Sequence, residues 1–138
     1  MFANKQVEAV ARILAVTILL DKRQRDREMV EFCYYVKTIN QDLCSKTILP
    51  RQKIMDWFEA HKQEFATGLA NDTDGSFKTN LLKPITDPNI RRKVLTAIFA
   101  ISISDQEFHN EECSFIKTAI NLWQVGMPSM TEVSEMAG

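Results

Sequence analysis

Apolar residues recur three and four positions apart along most of this chain, and no run alternates with period two for long enough to make a strand. Val7, Val10, Ala11, Leu14 and Ile18 predict a helix over about residues 4–20, apolar on most of its circumference. Asp26 suits an N-cap, with Glu28 in the first turn where a negative charge is favourable, and Met29, Phe32, Cys33, Val36 and Ile39 mark the buried face of a second helix. Residues 45–50 are a break. Ile54, Phe58, His61, Phe65 and Leu69 trace a third helix, predicted to end near Gly68. Asn71-Asp72-Thr73-Asp74-Gly75-Ser76 is turn chemistry, and a short helix is expected over 77–83. Asp87-Pro88 opens the next helix, Asp as cap and Pro at the first helical position, with Val94, Leu95, Ile98, Phe99 and Ile101 on its inner face. Asn110 caps the last one, which carries Phe115, Ile116, Ala119, Ile120 and Trp123 and stops at Gly126 and Pro128. Residues 129–138 form a tail that adds at most one frayed turn. The pattern predicts an all-α fold: one compact bundle of about six to seven helices.

Two stretches of this pattern share a local design. Ile13-Leu14-Ala15-Val16-Thr17-Ile18-Leu19-Leu20 runs into Asp21, and Glu28 follows seven positions later. Ala97-Ile98-Phe99-Ala100-Ile101-Ser102-Ile103-Ser104 runs into Asp105, and Glu112 follows at the same interval. In the flanking alignment only Val10/Val94, Asp21/Asp105 and Glu28/Glu112 are identical, yet two of those three pairs are acidic. The expectation is two pseudo-repeated helix–loop–helix units, about 7–40 and 91–124, facing each other across one core.

Composition narrows the field of functions. A chain of 138 residues is one domain by length, able to bury about two-thirds of its unfolded surface. Net charge of −1 and the lack of a Lys/Arg stripe interleaved with aromatics argue against nucleic acid as a partner. Three cysteines at irregular spacing (Cys33, Cys44, Cys113) suit a reducing compartment, not a disulfide framework. Residues 9–20 imitate a signal-peptide core, but Arg12 interrupts the run, no small-residue cleavage site follows and Asp21-Lys22-Arg23 closes it. The run is also too short to span a bilayer, which needs about 20 apolar residues. A cytoplasmic protein with no membrane insertion is expected.

The repeated grammar, an apolar helix followed by Asp-x-x-φ-x-x-x-Glu (φ apolar) and a second amphipathic helix, resembles the TerB-like family of helical domains associated with tellurite resistance and bacterial stress responses. It is also similar to the TerB-like domain of membrane-anchored DnaJ-type co-chaperones. The C-terminal unit, Ala100 to Glu112, follows the family's Ala-Asp-Gly-x-φ-x-x-x-Glu shape with Gln106 where Gly is usual. The N-terminal unit keeps Asp21 and Glu28 but has Lys22 in place of the Gly and Gln24 in place of the apolar residue. The resemblance covers about residues 7–124. It implies a non-enzymatic binding or sensing module that acts through protein partners, with an acidic cluster proposed to bind metal. By position the metal ligands would be Asp21, Glu28, Asp105 and Glu112, with Glu107, Glu111 and Asp26 nearby.

Physical chemistry leaves three readings of those acids open. An Asp just past a helix C-terminus faces the negative end of the macrodipole, at a cost of about 0.3–1 kcal/mol unless compensated. A hard divalent cation such as Ca²⁺ or Mg²⁺, which takes oxygen ligands, would compensate four such carboxylates if the loops meet. The same acids also serve as ordinary caps and first-turn charges. Thirdly, Lys22, Arg23, Arg25 and Arg27 in the first loop can pair directly with Asp105, Glu107, Glu111 and Glu112 in the second. Such pairing needs no metal, and the bases raise the cost of adding a cation.

Other motifs fall away. Setting Gly75 at position six of an EF-hand loop puts Ala70 at position one and Leu81 at twelve, so both essential ligands are missing. His61 reads as a core histidine. His109 lacks a partner His or Cys for a transition metal, and no cysteine has a zinc-spaced partner. Trp57, Phe58 and Trp123 read as core or groove wall. No nucleophile–base pair or phosphate loop is present, so a metal-assisted hydrolase ranks behind the binding module. The alternative class is a plain helical adaptor whose groove takes a partner helix or a second copy, a homodimer, with structural acidic loops.

Overall fold

The computed structural model describes residues 2, 4–20, 26–44, 48–103 and 110–124, without the side chains of 26 and 110–113. All regular structure among them is helical: α1 (Lys5–Leu20), α2 (Asp26–Leu43), α3 (Arg51–Ala70), α4 (Ser76–Leu82), α5 (Pro88–Ile103) and α6 (Asn110–Trp123). Asn4 starts α1 by accepting the Gln6 N–H on its side-chain oxygen at 2.7 Å. Every residue from Ile13 to Ile18 is buried, so this helix has no solvent face over its middle turns and packs against every other helix. Each large aliphatic side chain so placed contributes about 1.5–3 kcal/mol relative to exposure.

The second helix of this kind is α5. Asp87 caps it, its Oδ1 accepting the Asn89 N–H at 2.8 Å, and buried residues run almost unbroken from Val94 to Ser102. It packs directly on α1, with α2 and α6 beside it. The more amphipathic α2, α3 and α6 cover this pair, each keeping a polar face in water.

The end of α3 falls two residues past the position that the sequence pattern marks. Helix α3 runs to Ala70, through Gly68 and beyond the expected stop. A Cβ at Gly68 would lie 2.5 Å from the Phe77 ring, so this glycine is a notch for α4 to dock in and not a terminator. The turn that follows is built as expected. Asp72 accepts the Phe77 and Lys78 N–H groups, Asp74 accepts the Ser76 N–H, and Gly75 takes φ 80°, a left-handed conformation that suits glycine. Helix α6 ends at Trp123 as Gln124 turns left-handed at φ 53°; Gly126 and Pro128, expected as its stop, lie outside the described residues.

Side-chain contacts fix the helix directions. Lys93, in the second turn of α5, bonds to Asp42, in the last turn of α2, so those packed helices run antiparallel. The Phe2 ring, just ahead of α1, packs edge-on against Trp57 in the first half of α3, 5.2 Å between centroids. The Trp123 indole N–H, at the end of α6, donates to the Leu82 carbonyl at 3.2 Å, and the Arg91 guanidinium lies 5.9 Å from the Trp123 ring centre. One end of the bundle therefore holds the starts of α1, α3 and α5 and the ends of α2, α4 and α6. The opposite end holds the last turns of α1 and α5 and the first turns of α2 and α6.

Candidate functional site

At that second end α1 and α5 lead in sequence into the predicted acidic segments. Asp21 directly follows α1, and α5 ends two residues before Asp105. Asp21, Asp105, Glu107 and His109 lie outside the described residues, as do Lys22, Arg23 and Arg25. Asp26, Glu111 and Glu112 are placed in the first turns of α2 and α6 by their backbones, but their side chains are outside the description. Glu28 is the one predicted ligand whose side chain is described. It is 2% exposed.

The burial follows from register. Position 28 stands four residues before Phe32, on the stripe that continues through Tyr35, Val36 and Ile39, all buried where α2 packs on α1, α3 and α5. The periodicity that marks the core thus carries a carboxylate inward at its first step. A buried carboxylate is tolerated only with compensating charge or hydrogen bonds, since full desolvation of an ion costs several kcal/mol. The first-turn location supplies part of this, because exposed N–H groups and the positive dipole end favour an anion there.

Other polar side chains are buried at the same end. Thr17, in the last turn of α1, is fully buried and donates back to the Ile13 carbonyl at 2.9 Å. Ser102, in the last turn of α5, is 2% exposed, and its Oγ makes no hydrogen bond among the described residues. Arg27, by contrast, is exposed beside Glu28. No group of three or more His, Cys, Asp or Glu side chains capable of holding a metal occurs among the described residues, a set that excludes most of the predicted ligands.

Elsewhere the chemistry is structural. The His61 ring is half-buried, stacked on Trp57 at 4.9 Å and facing Phe65 at 6.3 Å, and its Nδ1 lies 2.8 Å from the Trp57 carbonyl oxygen. Trp57, Phe58 and Trp123 are core residues. Cys33 is a buried thiol with its pKa pushed up by desolvation, against the lowering effect of Arg51; Cys44 is half-buried and also free, and the Cys113 side chain lies outside the description. Tyr35 is fully buried with its hydroxyl unbonded among the described residues, and burial, with Glu31 and Tyr34 nearby, holds its pKa well above the usual tyrosine value.

Sequence reasoning placed Glu28 as a first-turn acid and missed its burial, although the four-residue step to Phe32 carries that information. It also missed a groove on the outer face of α2, lined by Val30, Tyr34, Lys37, Thr38, Gln41 and Arg51. No helix among the described residues is long and apolar enough to cross a membrane. Comparison with protein-family models, with curated proteins and with solved structures finds no match for this chain.

Proposed function

We propose that this chain is a small, non-enzymatic cytoplasmic binding and sensing module of the TerB-like kind, acting through protein partners in a stress response. In this reading its two helix–loop–helix units are pseudo-repeats, and a divalent cation, Ca²⁺ or Mg²⁺, is held at one end of the bundle by Asp21, Glu28, Asp105 and Glu112. The observation that carries the reading is the burial of Glu28 at the end where the last turns of α1 and α5 meet the first turns of α2 and α6. A buried carboxylate needs compensation, and a hard cation bound through its oxygens would supply it. The central pairing of α1 with α5, each followed by one of the acidic segments, supports the repeat.

Isothermal titration of chelator-treated protein with Ca²⁺, Mg²⁺, Mn²⁺ and Zn²⁺ tests the cation. The expected result is one site for Ca²⁺ or Mg²⁺, abolished by Asp105→Ala with Glu112→Ala and by Glu28→Gln, with the helical circular dichroism unchanged. Binding of none of the four ions would overturn it. The adaptor reading would then stand, with Arg27 and its basic neighbours paired to the second acidic loop. It predicts that the double change lowers thermal stability slightly, with or without chelator, because exposed pairs are worth about 0–1 kcal/mol each.

A further inference from the structure

Helix α2 shows its outer face to water with a repeat of its own. Arg27, Val30, Tyr34, Lys37 and Gln41 are all exposed and follow one another at steps of three, four, three and four. This is the spacing of a seam made to receive another helix. Val30 is 49% exposed and Tyr34 39%, unusual values for large side chains at the middle of such a seam. Arg51, at the start of α3, also lines the groove. Three residues before it, Ile48 is 79% exposed. Among the described residues no acidic side chain lines the groove: its charged members there are Lys37 and Arg51, and Arg27 extends the stripe with a third cation.

We infer that this groove is a docking site for an acidic amphipathic helix of a partner protein, one that sets apolar residues on Val30 and Tyr34 and Asp or Glu side chains toward Arg27, Lys37 and Arg51. Charge complementarity selects the occupant. A second copy meeting this face through a two-fold axis would bring cations against cations, which is repulsive. The chain's own tail has suitable chemistry, with Met127, Met130, Val133 and Met136 at steps of three and Glu132 and Glu135 between them. It leaves from α6, however, which packs on α1, α4 and α5. The inference does not depend on the cation reading, because the groove lies on α2 and α3 and uses none of the proposed ligands.

The test uses two labelled synthetic helical peptides with leucines at three- and four-residue steps, one flanked by Glu and the other, otherwise identical, by Lys. Fluorescence anisotropy with the full chain should show the Glu peptide binding about tenfold tighter or more at low salt, a gap that narrows as salt rises. Lys37→Glu with Arg51→Glu should reverse the preference, and Tyr34→Ala should weaken the Glu peptide about tenfold, both with unchanged circular dichroism. Amide shifts on binding should centre on residues 30–41. Equal affinity for the two peptides, a preference that survives the charge reversal, or shifts centred elsewhere would each overturn the inference. So would tighter binding by a peptide of residues 125–138, or a dimer in sedimentation velocity that Tyr34→Asp dissolves, since either gives the groove to this chain itself.

Discussion

At one end of the bundle the polar groups of buried side chains are engaged: the Trp123 indole N–H meets the Leu82 carbonyl, and Arg91 donates through Nε to the Ile85 carbonyl at 2.7 Å while lying against the Trp123 ring. Asp87 caps α5 there and Lys93 reaches Asp42. At the other end a carboxylate, Glu28, and a hydroxyl, Ser102, are withdrawn from water, and the Ser102 Oγ makes no hydrogen bond among the described residues. Both ends close the same core, centred on α1 and α5 and covered by α2, α3 and α6. The first is finished for stability. The second carries a buried carboxylate and a buried hydroxyl, the feature on which the cation proposal rests.

The sharpest way to break that comparison is at the anchored end. Trp123→Ala should cost about 3–5 kcal/mol in chemical denaturation, since it removes a buried indole and orphans the Leu82 carbonyl. A loss of under 1 kcal/mol would mean that this end is not an anchor. At the opposite end, wild-type protein at a Ca²⁺ or Mg²⁺ concentration near a hundred times its dissociation constant should gain about 2.7 kcal/mol over chelator-treated protein. Glu28→Gln should lose most of that gain in differential scanning calorimetry. If the increment survives the substitution, Glu28 is not a ligand.

Smaller effects sharpen the picture. Ser102→Ala should stabilise the apo protein by about 1 kcal/mol, because the hydroxyl is desolvated without a hydrogen bond among the described residues. A destabilised variant would point to a bond that the described residues do not include. Tyr35→Phe tests the same physics between the two ends, with a gain of similar size near neutral pH. The buried phenol titrates above its ordinary value of about 10, whereas in the unfolded chain it ionises near that value. Wild-type stability should therefore fall as pH rises past about 10, when the unfolded state loses a proton that the folded state keeps. The Tyr35→Phe protein should show a shallower fall in urea midpoints measured across that range, and parallel curves would refute the assignment. Smallest of all, a double-mutant cycle on Lys93 and Asp42 should return about 0.2–1 kcal/mol, as both side chains are more than a third exposed.

Much of the fold was legible because its signals are local. The spacing of Val7, Val10, Ala11, Leu14 and Ile18 predicts α1, and Asp87-Pro88 predicts the start of α5 to the residue. The turn at 71–75 was readable from Asp72, Asp74 and Gly75 for the same reason: side chain and backbone meet within six residues. Gly68 marks the region of the helix end in the sequence, but its packing role is not legible there because it depends on Phe77, which comes back to it only after α4 has folded onto α3. The candidate site divides along the same line. The type and spacing of Asp21, Glu28, Asp105 and Glu112 are sequence facts; the burial of Glu28 is not.

What this sequence determined alone, then, is the helical character of the described residues, the start of α5 and the choice of α1 and α5 as the most apolar pair, since each depends on propensity, capping and a period of 3.6 residues. Tertiary structure decided which helix ends share a side of the bundle, that Glu28 would be shut away from water while Arg27 beside it stays exposed, and that Val30 and Tyr34 would be left uncovered on α2. Periodicity records which residues seek cover. Whether cover arrives depends on how many neighbours a helix has, and that is settled only when all six have packed.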